Sequence, residues 1–78
     1  MNDPMLQKAK TWFNELDVQT VDAPDCLKVS RDGMVKLGMD DSPEKAYDMI
    51  LAELRGFLGS KRVYWAGKDD DFVYLGCF

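Results

Sequence analysis

The run Pro43 to Leu58, PEKAYDMILAELRGFL, sits between the clearest stop and start signals in the chain. Ser42 precedes it as an N-cap, Pro43 occupies the first helical position, Glu44 lies in the first turn, and Gly59 stands where a left-handed residue ends a helix. The spacing predicts a helix over 43–58 with Tyr47, Ile50, Leu51, Leu54, Phe57 and Leu58 as its buried stripe. Beside that stripe Met49, Ala52 and Gly56 form a low-profile strip on which a second helix can sit. A chain of 78 residues has surface and volume for one core, so 1–78 is read as a single domain and every other element must share that core.

The expected second helix is N-terminal. Asp3 and Pro4 make an N-cap and first-turn proline, and Met5, Leu6, Ala9, Trp12, Phe13 and Leu16 recur at helical spacing, which predicts a helix over 4–16. Val18 to Val21 has the makings of a short edge strand, ended by Pro24.

Two hairpins are expected. In CLKVSRDGMVKLG, a two-residue turn at Asp32-Gly33 mixes apolar and charged residues on each face, whereas a three-residue loop with a left-handed Gly33 pairs Val29 with Val35 and Leu27 with Leu37. The second register is the expected one, and it sets Lys28 against Lys36 on the opposite face. The C-terminal runs Arg62 to Ala66 and Phe72 to Cys77 are rich in aromatic and β-branched residues and flank the polar loop GKDDD. Closing that loop pairs Trp65 with Val73 and Val63 with Leu75 on one face, and Tyr64 with Tyr74 and Ala66 with Phe72 on the other.

The resulting order, α-(β)-β-β-α-β-β, is that of an α+β two-layer sandwich: an antiparallel sheet of four to five strands with two helices on one face. The uncharged face of Val63, Trp65, Val73, Leu75 and Cys77 is the one expected under the helices. Tyr64, Phe72 and Tyr74 then point outward beside Arg62, Lys28 and Lys36, bordered by Asp69, Asp70 and Asp71. These nine residues are the candidate partner-binding set, because a contiguous aromatic patch on a small protein marks a contact surface. The alternative is that the helices straddle the sheet, or that the N-terminal segment covers this face as core.

Composition narrows the chemistry. Histidine is absent, which removes the commonest general base and metal ligand, and no enzyme activity is expected. The acidic runs at 40–41 and 68–71 lack the alternating ligand spacing of a calcium loop, and the glycine turns lack the strand–loop–helix order of a phosphate site, so no metal or cofactor is expected. The two cysteines, Cys26 and Cys77, read as reduced thiols packed as small hydrophobes. No apolar run reaches the ~20 residues of a membrane span, and with no signal-peptide pattern at the start the expected location is cytoplasmic. A net charge of −4 and a pI near 4.6 oppose phosphate backbones and favour basic partners.

The function expected from these features is a non-catalytic acidic protein-binding module. The class includes small inhibitors of basic or nucleic-acid-handling proteins, such as the accessory proteins that phages encode. Single-stranded nucleic-acid binding on the aromatic face is the alternative, and a homodimer with two such faces packed together is another.

Overall fold

Asp3 and Ser42 cap their helices as their positions in the sequence require. The computed structural model describes residues 3–38 and 42–78; Asp40 and Asp41 lie outside the described residues. The Asp3 carboxylate accepts the Met5 N–H at 2.8 Å and opens α1, Pro4–Glu15. The Ser42 hydroxyl accepts the Lys45 N–H and opens the longest helix, Pro43–Leu58, which ends at a left-handed Gly59. Between them lie β1 (Thr20–Asp22), β2 (Leu27–Ser30) and α2 (Arg31–Gly38), which makes the Pro43–Leu58 helix α3; β3 (Val63–Lys68) and β4 (Phe72–Cys77) complete the chain. The fold is α+β, with three helices and a four-stranded antiparallel sheet in the order β1-β2-β4-β3.

Residues 31–38 correct the expected N-terminal hairpin, since they form α2 where a strand paired with β2 was expected. The Val29–Val35 and Leu27–Leu37 pairs do not form; β2 pairs instead with β1 on one side and β4 on the other. The cause is local as well as topological. The Ser30 hydroxyl accepts the Gly33 N–H at 3.2 Å, as an N-cap does, and Asp32 and Lys36 lie at the helix ends that their charges favour. With both edges of β2 taken, a strand at 33–37 has nothing to pair with. Gly33 has no left-handed role, and Lys36 sits in the last turn of a helix, not across from Lys28.

The two glycines of α2 serve close packing. A Cβ on Gly33 would stand 3.0 Å from Val18 Cγ1, and one on Gly38 only 2.4 Å from Ala46 Cβ on α3. Val18 reaches that position through Asp17, whose φ of 61° turns the chain sharply after α1, so that the Val18 N–H bonds the Phe13 carbonyl.

Burial alternates along the strands. Leu27, Val29, Val63, Val73 and Leu75 are buried, in one core with Leu6, Ala9 and Phe13 of α1, Met34 of α2 and Tyr47, Ile50 and Leu54 of α3. Trp65 packs against the same core, its ring 6.4 Å from Phe13 and its indole N–H donated to the Tyr47 carbonyl at 3.0 Å. The expected inward face of the C-terminal hairpin is therefore the one that is buried.

Its register differs by two residues. Val63 faces Cys77, Tyr64 faces Gly76 and Trp65 faces Leu75; a bulge then leaves Ala66 without a partner, and Gly67 and Lys68 continue the strand opposite Tyr74 and Val73. The loop shrinks from the expected five residues to Asp69, Asp70 and Asp71. A slip of two preserves the faces, so only the neighbours change.

The low-profile strip of α3 is also corrected. Nothing lies within 4 Å of a Cβ built on Gly56, Ala52 is exposed, and Met49 is 41% exposed, so α1 does not cover this strip. Phe57, expected in the buried stripe, is 58% exposed with its ring 6.3 Å from Trp12, while Leu51 and Leu58 are half-buried. Leu16 falls just past the end of α1 and is exposed.

These two environments predict opposite outcomes for the same substitution. Gly38→Ala drives a Cβ into the Cβ of Ala46, which has no rotamer to yield, and should destabilise the protein by about 1–3 kcal/mol in urea unfolding. Gly56→Ala meets open space inside a helix and should stabilise it by about 0.5–1 kcal/mol.

Candidate functional site

On the outer face of the sheet, Tyr64, which is exposed, and Tyr74, which is half-buried, each meet a glycine on the neighbouring strand. Tyr64 on β3 faces Gly76 on β4, and a Cβ on Gly76 would stand 3.1 Å from the end of the Tyr64 ring. Tyr74 on β4 faces Gly67 on β3, and a Cβ there would stand 3.4 Å from the Tyr74 ring. Each ring therefore lies over the strand beside it. Gly76 is fully covered in consequence, while Tyr64 remains 38% exposed.

Around these two rings the sheet positions the remaining candidates. Phe78 is 72% exposed, with its ring 5.4 Å from Tyr64. The Phe78 N–H bonds the Arg62 carbonyl, and the Arg62 guanidinium donates back to the Phe78 carbonyl, so Arg62 clamps the chain terminus beside the rings. Lys28, on β2, faces Tyr74, with its ammonium 5.6 Å from the centre of that ring, a cation–π contact. Val21 on β1 faces Lys28 from the other side and is 46% exposed, extending the apolar surface to the sheet edge. Phe72 is half-buried opposite Ser30.

Asp69, Asp70 and Asp71 form the tip of the hairpin, where they do more than carry charge. The Asp69 carboxylate accepts the N–H groups of Asp71 and Phe72 at 2.8 and 2.7 Å, closing the turn, and its second oxygen accepts the Tyr74 hydroxyl at 2.6 Å. Arg31 holds the tip from the other side, donating from its guanidinium to the Asp69 and Asp70 carbonyls and to the Tyr47 hydroxyl of α3. Its own N–H bonds the Asp71 carbonyl at 3.0 Å. Asp70 and Asp71 are exposed.

The structure thus gathers Tyr64, Tyr74, Phe72, Lys28 and Arg62 onto one sheet face, with the three aspartates at one end. Lys36 is not among them. Sequence reasoning left Phe78 out of the candidate set, although alternation can place it on the outward face, and it missed Val21, whose place beside Lys28 follows only from the β1–β2 pairing. It also missed Gly67 and Gly76, for which the only signal was a glycine one strand away from an aromatic residue.

The electrostatics follow from the same contacts. The Tyr74 hydroxyl, with the Phe72 and Asp71 N–H groups, holds the Asp69 carboxyl below its ordinary range, and Asp69 in turn pushes the Tyr74 phenol above its own. Burial raises the Cys77 thiol, which lies 4.0 Å from the Met5 sulfur on the inner side and is free, as is Cys26. A thiol shifted that way is less ionised at neutral pH and less nucleophilic. Among the described residues, no group of three or more His, Cys, Asp or Glu side chains is placed to hold a metal ion, and no helix is long and apolar enough to cross a membrane.

Comparisons with protein-family models, with characterised proteins and with solved structures give no match to this chain. The geometry of the site is what bears on its role.

The Asp69–Tyr74 bond should show in the pH dependence of stability. The lowered carboxyl contributes above its unfolded value near 4, and that contribution is lost as pH falls through the lower folded value; the raised phenol contributes below about pH 10 and is lost as pH rises through its folded value. Thermal unfolding followed from pH 2 to 11 should therefore fall off at both ends, with Tyr74→Phe removing the alkaline limb and reducing the acid one to the share held by the Phe72 and Asp71 N–H groups, and Asp69→Asn flattening both.

Proposed function

We propose that this protein is a non-catalytic binding module whose outer sheet face docks another protein with a basic surface, acting as a small inhibitor or accessory factor of that partner. The observation that carries the reading is the platform of Tyr64, Tyr74 and Phe78, two rings laid over glycines and a third largely exposed beside them. Aromatic side chains with an adjacent arginine are the usual energetic centre of an interface. The rings are held before any partner arrives, Tyr64 by Gly76 and Phe78, Tyr74 by Asp69 and Lys28, which reduces the ordering cost of binding. The net charge of −4 and the acidic hairpin tip favour approach of a positive surface and disfavour phosphate chains.

Affinity capture from a lysate of the source organism tests this reading. A partner retained by the native protein should be lost from a Tyr64→Ala/Phe78→Ala variant and kept by a Met49→Ala/Phe57→Ala variant, which removes exposed apolar surface elsewhere. Equal retention by both variants overturns the sheet face as the site. Sedimentation of the native protein as a concentration-dependent dimer that the first variant abolishes assigns the face to a second copy of the chain, and binding of a single-stranded oligonucleotide abolished by that variant assigns it to nucleic acid.

A further inference from the structure

A groove of about 360 Å³ opens at the edge of the sheet, between the first turns of α3 and the end of β3. Its walls are the buried Tyr47 and Val73 and the half-buried Trp65, whose ring plane is fixed by the hydrogen bond from its indole N–H to the Tyr47 carbonyl. Gly67 adds its backbone to the lining on the strand side. On the helix side Glu44 and Asp48 stand four residues apart, hence on one face of α3, and both are exposed. Among the described residues neither makes an ion pair, the only such pair being Lys10 with Asp22 on the other edge of the sheet. Lys68 stands on the strand side of the same groove.

We propose that this groove receives an arginine or lysine side chain from an extended segment of a basic partner protein. An aromatic wall beside two unpaired carboxylates matches the two parts of such a side chain, an apolar stem and a cationic head, through stem packing, cation–π attraction and ionic pairing. The backbone favours an extended guest. The Arg62 carbonyl points toward β4, where it accepts the Phe78 N–H, whereas the Val63 carbonyl points away and is occupied by the Arg55 guanidinium at 2.8 and 3.0 Å. By the period of two, the main-chain groups of Trp65 point outward like those of Val63, toward the groove. Arg55 thus closes one end of the β3 edge, and the other end is where a strand can add, in the mode by which extended segments join sheet edges. The inference rests on the proposed reading of a basic protein partner and names where its charged side chain goes.

The probe is an acetylated, amidated hexa-arginine peptide, with hexa-glutamate as control, titrated into the whole protein at low salt. Trp65 fluorescence is read in a Trp12→Phe background, and amide and indole N–H shifts are read on the native protein. Hexa-arginine should quench Trp65 and shift its indole N–H and the Gly67 amide, while hexa-glutamate does neither. Glu44→Gln/Asp48→Asn should weaken the binding by roughly tenfold, and Lys68→Gln should strengthen it severalfold. Both are surface changes that leave folding intact. A silent Trp65, or binding indifferent to Glu44→Gln/Asp48→Asn, overturns the groove. Shifts confined to the Asp69–Asp71 amides also overturn it and leave the sheet-face reading standing. If instead the groove responds but partner capture ignores Tyr64→Ala/Phe78→Ala, the groove is upheld and the sheet face falls.

Discussion

The Arg31 side chain ties three parts of the fold at one point: the β2–α2 junction, the tip of the β3–β4 hairpin and α3. It stands where β2 becomes α2, its N–H bonded to the last residue of the hairpin loop and its guanidinium to two further loop carbonyls and to Tyr47 on α3. The Asp69 carboxylate closes the three-aspartate loop through two backbone N–H groups, but three like charges repel and offer no apolar contact to anchor the tip to the body of the protein. The planar fork of arginine meets several acceptors at once, and here most of those acceptors are backbone carbonyls whose direction is set by the turn. Fixing the tip fixes the end of β4, and with it the position of Tyr74 over Gly67. The order of the outer face is thus inherited from a contact on the edge of the molecule.

Much of the fold was legible where local signals and long-range packing agree. The caps at Asp3, Ser42 and Gly59 define α1 and α3 almost to the residue because each satisfies backbone groups within the same few residues. The inward face of β3 and β4 was legible because a two-residue period survives a shift of register. What failed depended on partners distant in sequence. LKVSRDGMVKL carries β-branched residues and an aspartate–glycine pair, a sound hairpin pattern, and the occupation of both edges of β2 by β1 and β4, together with the Ser30 cap on α2, excludes it. The same absence of long-range information hid the uncovered strip of α3, whose small residues invite a helix that α1 does not supply.

The candidate site was legible as a list of residue types on a face, and illegible as a surface. Tyr64, Phe72, Tyr74 and Lys28 could be placed together from alternation alone, yet the sequence pattern set Tyr64 against Tyr74. The two-residue register difference separates them and sets Tyr64 against Gly76, and the bulge at Ala66 then sets Tyr74 against Gly67. Standing aromatic side chains would make a ridge; rings over glycines make a low platform, which suits a broad partner surface better than an inserted loop. Gly76 and Gly67, weak strand formers in their own right, are tolerable because a neighbouring ring covers each gap.

Charge is distributed along β3 in a way the net value of −4 conceals. Arg55, Lys61 and Arg62 gather at the Val63 end, where α3 hands over to the strand, and Glu44, Asp48 and Asp69 to Asp71 gather at the Lys68 end, where the strand meets the start of α3 and the hairpin tip. Opposite charges at the two ends of one strand give a partner's field a direction to act on, so electrostatics orient the approach as well as attract it. The platform lies on the sheet face between these ends and the groove lies on the adjoining edge at the acidic one. On the proposed function, a basic partner guided to that end would meet the groove first, with the rings of Tyr74 and Tyr64 following along the same hairpin.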